Sequence, residues 1–133
     1  MTKYIVIGRH KFTDKQVRIL EKVGLTEEIE RIAKLEDINS VVQKAKENNA
    51  VILVQALPMH ILAQLLSNAS RNGIEVYAFK IEAVTTVGIN EKCPEECDIE
   101  IPDPRSGNKR CSKTVALQRL KRIIVEAEDV ATL

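Results

Sequence analysis

The sequence predicts a small doubly wound α/β domain, Rossmann-like or flavodoxin-like in build, with a mainly parallel sheet ordered 2-1-3-4 and flanking helices. Three observations predict it. Short apolar runs alternate with helical patterns as far as residue 87, and the links between them are short. Two of the runs, 4–8 and 50–55, are almost wholly apolar, as strands covered on both faces must be. Strand–helix alternation with short links implies right-handed crossovers and therefore parallel neighbours.

Each element follows from local chemistry. The first strand is Tyr4-Ile5-Val6-Ile7-Gly8. Thr13-Asp14-Lys15-Gln16 has the form of a capping box, and Val17, Leu20 and Val23 supply the apolar stripe of a helix over 14–23. Gly24 is placed to end it. Residues 29–35 alternate like a more exposed strand, with Ile29, Ala33 and Leu35 among charges. Asp37 caps a helix over 37–47 whose inward positions are Ile38, Val41, Val42 and Ala45. Residues 50–55 form the most apolar strand. Pro58 suits the first turn of a helix over 58–72, with Ile61, Leu62, Leu65, Leu66 and Ala69 on one face. A fourth strand covers 75–79. The core is expected around Ile5, Ile7, Ile52, Val54 and Val76.

Beyond Ile81 the pattern is irregular. Residues 84–87 and 98–101 carry short strand patterns, and Pro102-Asp103-Pro104 forbids a helix. Ser112 is placed to cap a final helix over 113–130, with Ala116, Leu120, Ile123, Ile124 and Ala127 inward and Leu117 and Val125 elsewhere. The 133 residues thus read as one domain: a regular part over 1–87, an irregular Cys-containing stretch over 88–111 and a terminal helix.

Composition narrows the function. The hydrophobic fraction of 44% and charged fraction of 29% are those of a globular protein. With net charge +1 and 3% aromatics, neither a bulk electrostatic grip on DNA nor a base-stacking platform is expected. No apolar run approaches the roughly 20 residues that span a bilayer. With no secretory signal before the first strand, a cytoplasmic location is expected. The abundance of Lys and Glu alongside Ile and Val suits a thermophile.

The two histidines each follow a buried strand. In an open α/β sheet, ligands bind outside the carboxyl ends of the strands where strand order reverses. His10 lies in Gly8-Arg9-His10-Lys11-Phe12-Thr13, a loop entering a helix, where Arg9, His10, Lys11 and backbone N–H groups suit a phosphate or carboxylate. The competing reading is a solvated basic loop. Gln55 closes the third strand, where its amide either caps backbone groups or meets a ligand; His60, in the first helical turn beyond, faces the ligand or solvent. Cys93, Cys97 and Cys111 are compatible with a disulfide to Cys111 from either of the others, a metal site short of a fourth ligand, or free thiols. The basic stretch over 105–113 lacks the P-loop pattern and reads as a solvated loop or one that folds over a polyanion. Gly-x-Gly-x-x-Gly is absent, and no cofactor or metal is expected.

One resemblance covers roughly the first 80 residues. A strand followed by His10, Phe12-Thr13 and Gln16, with a third strand ending in Val54-Gln55, resembles the small Rossmann-like CRISPR-accessory proteins of the ring-nuclease type, in which the first strand leads into Ser/Gly-His-x-Leu-Thr-x-x-Gln. The resemblance implies binding of a cyclic oligoadenylate at a dimeric strand-end crevice, with cleavage in some members, and places His10, Thr13 and Gln55 in the site. Ala56 stands where that pattern has Gly, and the Cys-containing tail has no counterpart in it.

The function expected is therefore binding of a phosphate-bearing nucleotide, most concretely a cyclic oligoadenylate with slow metal-independent cleavage, through Arg9, His10, Lys11, Thr13, Gln55 and His60. A homodimer is expected, with the strand-end loops or the last helix near its axis. The alternative is a non-enzymatic interaction or assembly module, accessory or viral, supported by the lack of a complete catalytic constellation.

Overall fold

The computed structural model describes residues 2–124 and 126–132. Its elements run β1 (Thr2–Ile7), α1 (Asp14–Lys22), β2 (Leu25–Ile32), α2 (Ile38–Asn48), β3 (Ala50–Val54), α3 (Met59–Arg71), β4 (Val76–Gly88), β5 (Ile99–Asp103) and β6 (Asn108–Leu120). One six-stranded sheet, ordered β2-β1-β3-β4-β6-β5, carries them all. The fold is α/β, and the sheet is mixed: β2, β1, β3 and β4 are parallel neighbours, while β6 pairs antiparallel with β4 and with β5.

Strict alternation along the apolar strands divides the core into two layers. Ile5, Ile7, Ile52, Val54 and Val76 face α2 and α3, where Val42, Ala45, Leu65 and Ala69 are buried against them. Tyr4, Val6 and Leu53 face the other way and meet Leu20 of α1 and Leu25. The capping box on α1 forms in full between Thr13 and Gln16. Asp37 caps α2 through the Ser40 N–H and hydroxyl, and those bonds, foremost the one from the hydroxyl, hold its carboxyl below the usual range.

The main correction concerns the C-terminal third. The helix expected over 113–130 is absent: Asn108–Leu120 is a strand, and 121–124 is irregular. Val125, assigned to that helix, lies outside the described residues. The physical reason is the length of β4. β3 covers one edge of β4 only, so the opposite edge of this 13-residue strand presents a row of N–H and C=O groups that needs a partner. The pairing runs from Val76 opposite Leu120 to Gly88 opposite Asn108, with bulges at 80/81 and 83/85. Helical periodicity over 112–124 loses to that long-range ladder. The sheet is therefore not the four-stranded 2-1-3-4 parallel sheet alone. β2 also begins earlier than the expected 29–35 run, at Leu25.

The basic stretch over 105–113 becomes the β5–β6 hairpin, turning at Gly107 with φ +71°. Cys93 is bonded to Cys111, and Cys97 is a free thiol. No helix among the described residues is long and apolar enough to cross a membrane.

Candidate functional site

The chain leaves β1 through Gly8, and this glycine decides the geometry that follows. A Cβ added there would stand 2.2 Å from Gln55 Oε1 and 2.6 Å from Gln55 Cβ, so only glycine leaves room for the Gln55 side chain to cross. Gln55 uses the space to accept from the His10 backbone N–H at 2.8 Å and to donate from Nε2 to the His10 carbonyl at 2.6 Å. A side-chain amide thus makes the pair of bonds that a neighbouring strand would make. Arg31, near the end of β2, donates to the same carbonyl at 2.7 Å, pairs with Glu28 at 2.8 Å and lies 5.0 Å over the Phe12 ring. Phe12 packs in turn against Tyr4 and Phe79, with ring centroids 6.3 and 6.0 Å away. Burial, and after it the Glu28 carboxylate, pushes the Tyr4 phenol pKa up. Residues from β1, β2 and β4, together with Gln55 just beyond β3, therefore fix the loop over 9–12.

A second network ties α1 to the antiparallel strands. Asp98 accepts from Thr13 Oγ1 at 2.6 Å, from the Thr114 N–H at 2.7 Å and from Thr114 Oγ1 at 2.8 Å. Gln16 Nε2 donates to Thr114 Oγ1 at 3.1 Å. Burial pushes the Asp98 carboxyl upward, but the bonds from Thr13 and Thr114 outweigh it and hold the group below the ordinary aspartate value. Asp98 is thereby an ionised anchor whose acceptors are already engaged.

Between these networks opens a cleft of about 580 Å³. His10, Lys11, Gln55 and Ala56 line it at the strand ends, and Phe79, Ile81, Ile99, Ile101 and Pro102 form an apolar wall on the antiparallel side. Glu100 also lines it but is paired with Lys109 at 2.7 Å. Among the described residues, the His10 ring and the Lys11 ammonium make no hydrogen bond within the chain, and both residues are exposed. A larger concavity of about 700 Å³ lies along α2 and is lined by Asn39, Lys44, Asn68 and other polar residues. It is more open and lies away from the strand ends, and Asn39 and Asn68 are bonded to each other.

Of the residues expected from sequence, His10, Lys11, Thr13 and Gln55 come together around the cleft, while Arg9 and His60 are exposed and do not line it. Thr13 and Gln55 spend their polar groups on positioning. Gly8, Gln16, Phe12, Arg31, Phe79, Asp98 and Thr114 escaped the sequence reading as site residues. Gln16 showed only its capping role, and Arg31 is one charge among several on β2. No local signal marks Asp98, whose partner Thr13 is 85 positions away. Among the described residues, no cluster of three His, Cys, Asp or Glu is arranged to hold a metal ion.

No protein-family model, curated protein or solved structure matches this chain.

Proposed function

We propose that the cleft binds a phosphate-bearing nucleotide, most concretely a cyclic oligoadenylate. The observation that carries this reading is the division of the cleft into a cationic mouth and an apolar wall. His10 and Lys11 stand where a phosphate is wanted, with the His10 backbone held from both its N–H and its carbonyl. Phe79, Ile81, Ile99, Ile101 and Pro102 offer apolar surface against which a nucleobase can pack. The volume falls within the roughly 300–1,000 Å³ range of small-molecule sites. A cyclic oligonucleotide exceeds one such cleft, so the same loops from a second copy, related by a two-fold axis, complete the site. The terminal helix no longer supports that dimer; the strand-end loops carry it.

Slow cleavage belongs to the same proposal. A ribose 2′-hydroxyl attacks the adjacent phosphorus and gives its proton to water, the P–O5′ bond breaks and the 5′-oxygen takes up a proton from water, and a 2′,3′-cyclic phosphate results. His10 and Lys11 stabilise the charge that develops on the phosphorane. Of the two carboxylates that line the cleft, Asp98 is engaged by Thr13 and Thr114 and Glu100 is paired with Lys109, so turnover is expected to be slow.

The test is incubation of the pure protein with labelled cyclic oligoadenylates of several ring sizes, beside AMP and inorganic phosphate. Binding of a cyclic species at 100 times its dissociation constant stabilises the fold by about 2.7 kcal/mol, which raises Tm. His10→Ala with Lys11→Ala abolishes that rise and leaves the unliganded Tm unchanged. No binding of any nucleotide rejects the proposal and favours the interaction module, to which the exposed Ile81, Ile101 and Val115 of the antiparallel strands then belong.

A further inference from the structure

The Cys93–Cys111 disulfide joins the β4–β5 connection to β6, with Cα atoms 5.7 Å apart. In the sequence between the two cysteines lie Asp98, Ile99, Ile101 and Pro102, which form one side of the cleft. Little else holds that side. Among the described residues β5 pairs only with β6, and four of its five residues are exposed. The ion pairs of Lys109 with Glu100 and of Lys113 with Glu96 have half-exposed carboxylates. What remains is the Asp98 carboxylate on Thr13 and Thr114, the Asp98 N–H on the Ser112 carbonyl and a bond of 3.4 Å from Lys15 to the Glu96 carbonyl. An edge strand with so little buried surface opens locally at low cost, and a cross-link near its start restrains that opening.

We propose that the Cys93–Cys111 disulfide is a thiol-sensitive clamp that holds the β5 wall in place, and that its reduction by a dithiol opens the cleft. Control of nucleotide binding rests on the function proposed above; the clamp on the wall does not. Access sets the route, because Cys111 is fully buried while Cys93 is only partly so. The reductant thiolate attacks Cys93 Sγ, the S–S bond breaks and Cys111 leaves as thiolate. The second thiol of the reductant then attacks its own sulfur in the mixed disulfide and releases Cys93. Both protein thiolates take up protons, so the disulfide gains two electrons and two protons and the dithiol ends as a disulfide. Cys97 is a poor rival in this exchange: burial, and after it the Glu96 carboxylate, pushes its thiol pKa up, which keeps it protonated.

Amide hydrogen exchange read by mass spectrometry tests the clamp on the oxidised protein, the dithiol-reduced protein, Cys93→Ser and Cys97→Ser. Peptides covering 98–103 are expected to exchange about tenfold faster in the reduced protein and in Cys93→Ser, with β3 and α3 unchanged. Cys97→Ser keeps the disulfide and behaves as the oxidised protein. Unchanged exchange at 98–103 after reduction confirmed by thiol counting overturns the clamp. So does an equal acceleration through β3 and α3, which makes the bond a global staple. With a labelled cyclic oligoadenylate, affinity is expected to fall about tenfold on reduction. Equal affinity in both states overturns control of the site. Absence of binding to either state, with the exchange difference present, removes the nucleotide reading and leaves the clamp supported.

Discussion

The parallel half of the sheet and its antiparallel extension share β4, yet different forces hold them. In the parallel half, β1 and β3 bury aliphatic side chains on both faces, and Ile5, Val6, Ile52 and Leu53 have no exposed surface. From Lys80 onward the buried residues among those described are Cys111, Ser112 and Thr114. A disulfide and the hydrogen bonds of Asp98 take the place that aliphatic packing has elsewhere. Apolar burial is non-directional and distributed over many contacts, whereas a carboxylate network is directional and fails when one member is lost. The cleft lies on the boundary, with one side set by the well-packed half and the other dependent on a few polar contacts.

The contrast is open to direct challenge. Ile52→Ala, in the packed half, should cost about 3–4 kcal/mol, whereas Ile101→Ala, at 50% exposure on β5, should stay within about 0.5 kcal/mol. Urea unfolding of both variants checks this, and similar losses would erase the distinction between the halves.

Asp98→Ala should cost about 2–3 kcal/mol, because it leaves the buried Thr114 hydroxyl and N–H without their acceptor. The sign of the pH effect follows from the depressed carboxyl. Its contribution is complete above the ordinary value of 3.8 and is lost as pH falls through the lower folded-state value. Unfolding free energies measured through the acid range should show this decline in the native sequence and a shallower one in Asp98→Asn. Equal slopes would mean that the network carries no net stabilisation.

Gly8→Ala should cost about 1–2 kcal/mol by displacing Gln55 and breaking its two bonds to His10. The same substitution made on top of Gln55→Gly should cost less, since the contacts at Oε1, Cδ and Cβ have gone and only the strain of φ +151° remains. A double-mutant cycle measures the difference, and strict additivity would show that the close approach at Gly8 is not what holds the loop.

How much of this was legible varies with the range of the forces. The caps at Thr13 and Asp37, the apolar runs of β1 and β3, and the inward faces of α2 and α3 are written in neighbouring residues, and the structure has them within a few positions of where the sequence puts them. Residues 112–124 carry apolar side chains at spacings that suit a helix, yet the free edge of β4 makes 112–120 a strand. That competition is between local propensity and a partner some thirty positions away, which no window of sequence displays. Gln55 and His10 were recognisable from their place after apolar strands. Asp98 and Arg31 were not, because their roles exist only once α1, β2 and β6 have met.

The hydrogen bond from Gln16 to Thr114 spans 98 positions, and the one from Thr13 to Asp98 spans 85. Closing loops of that length carries a large entropic cost before any contact rewards it, and folds dominated by such distant pairings form slowly. The strand–helix units up to Arg71 assemble from near neighbours, whereas β6 must return across the molecule to lie beside β4. The pocket wall is therefore expected to form late in folding, and a chain halted short of β6 is expected to carry His10 and Gln55 with no β5 wall facing them.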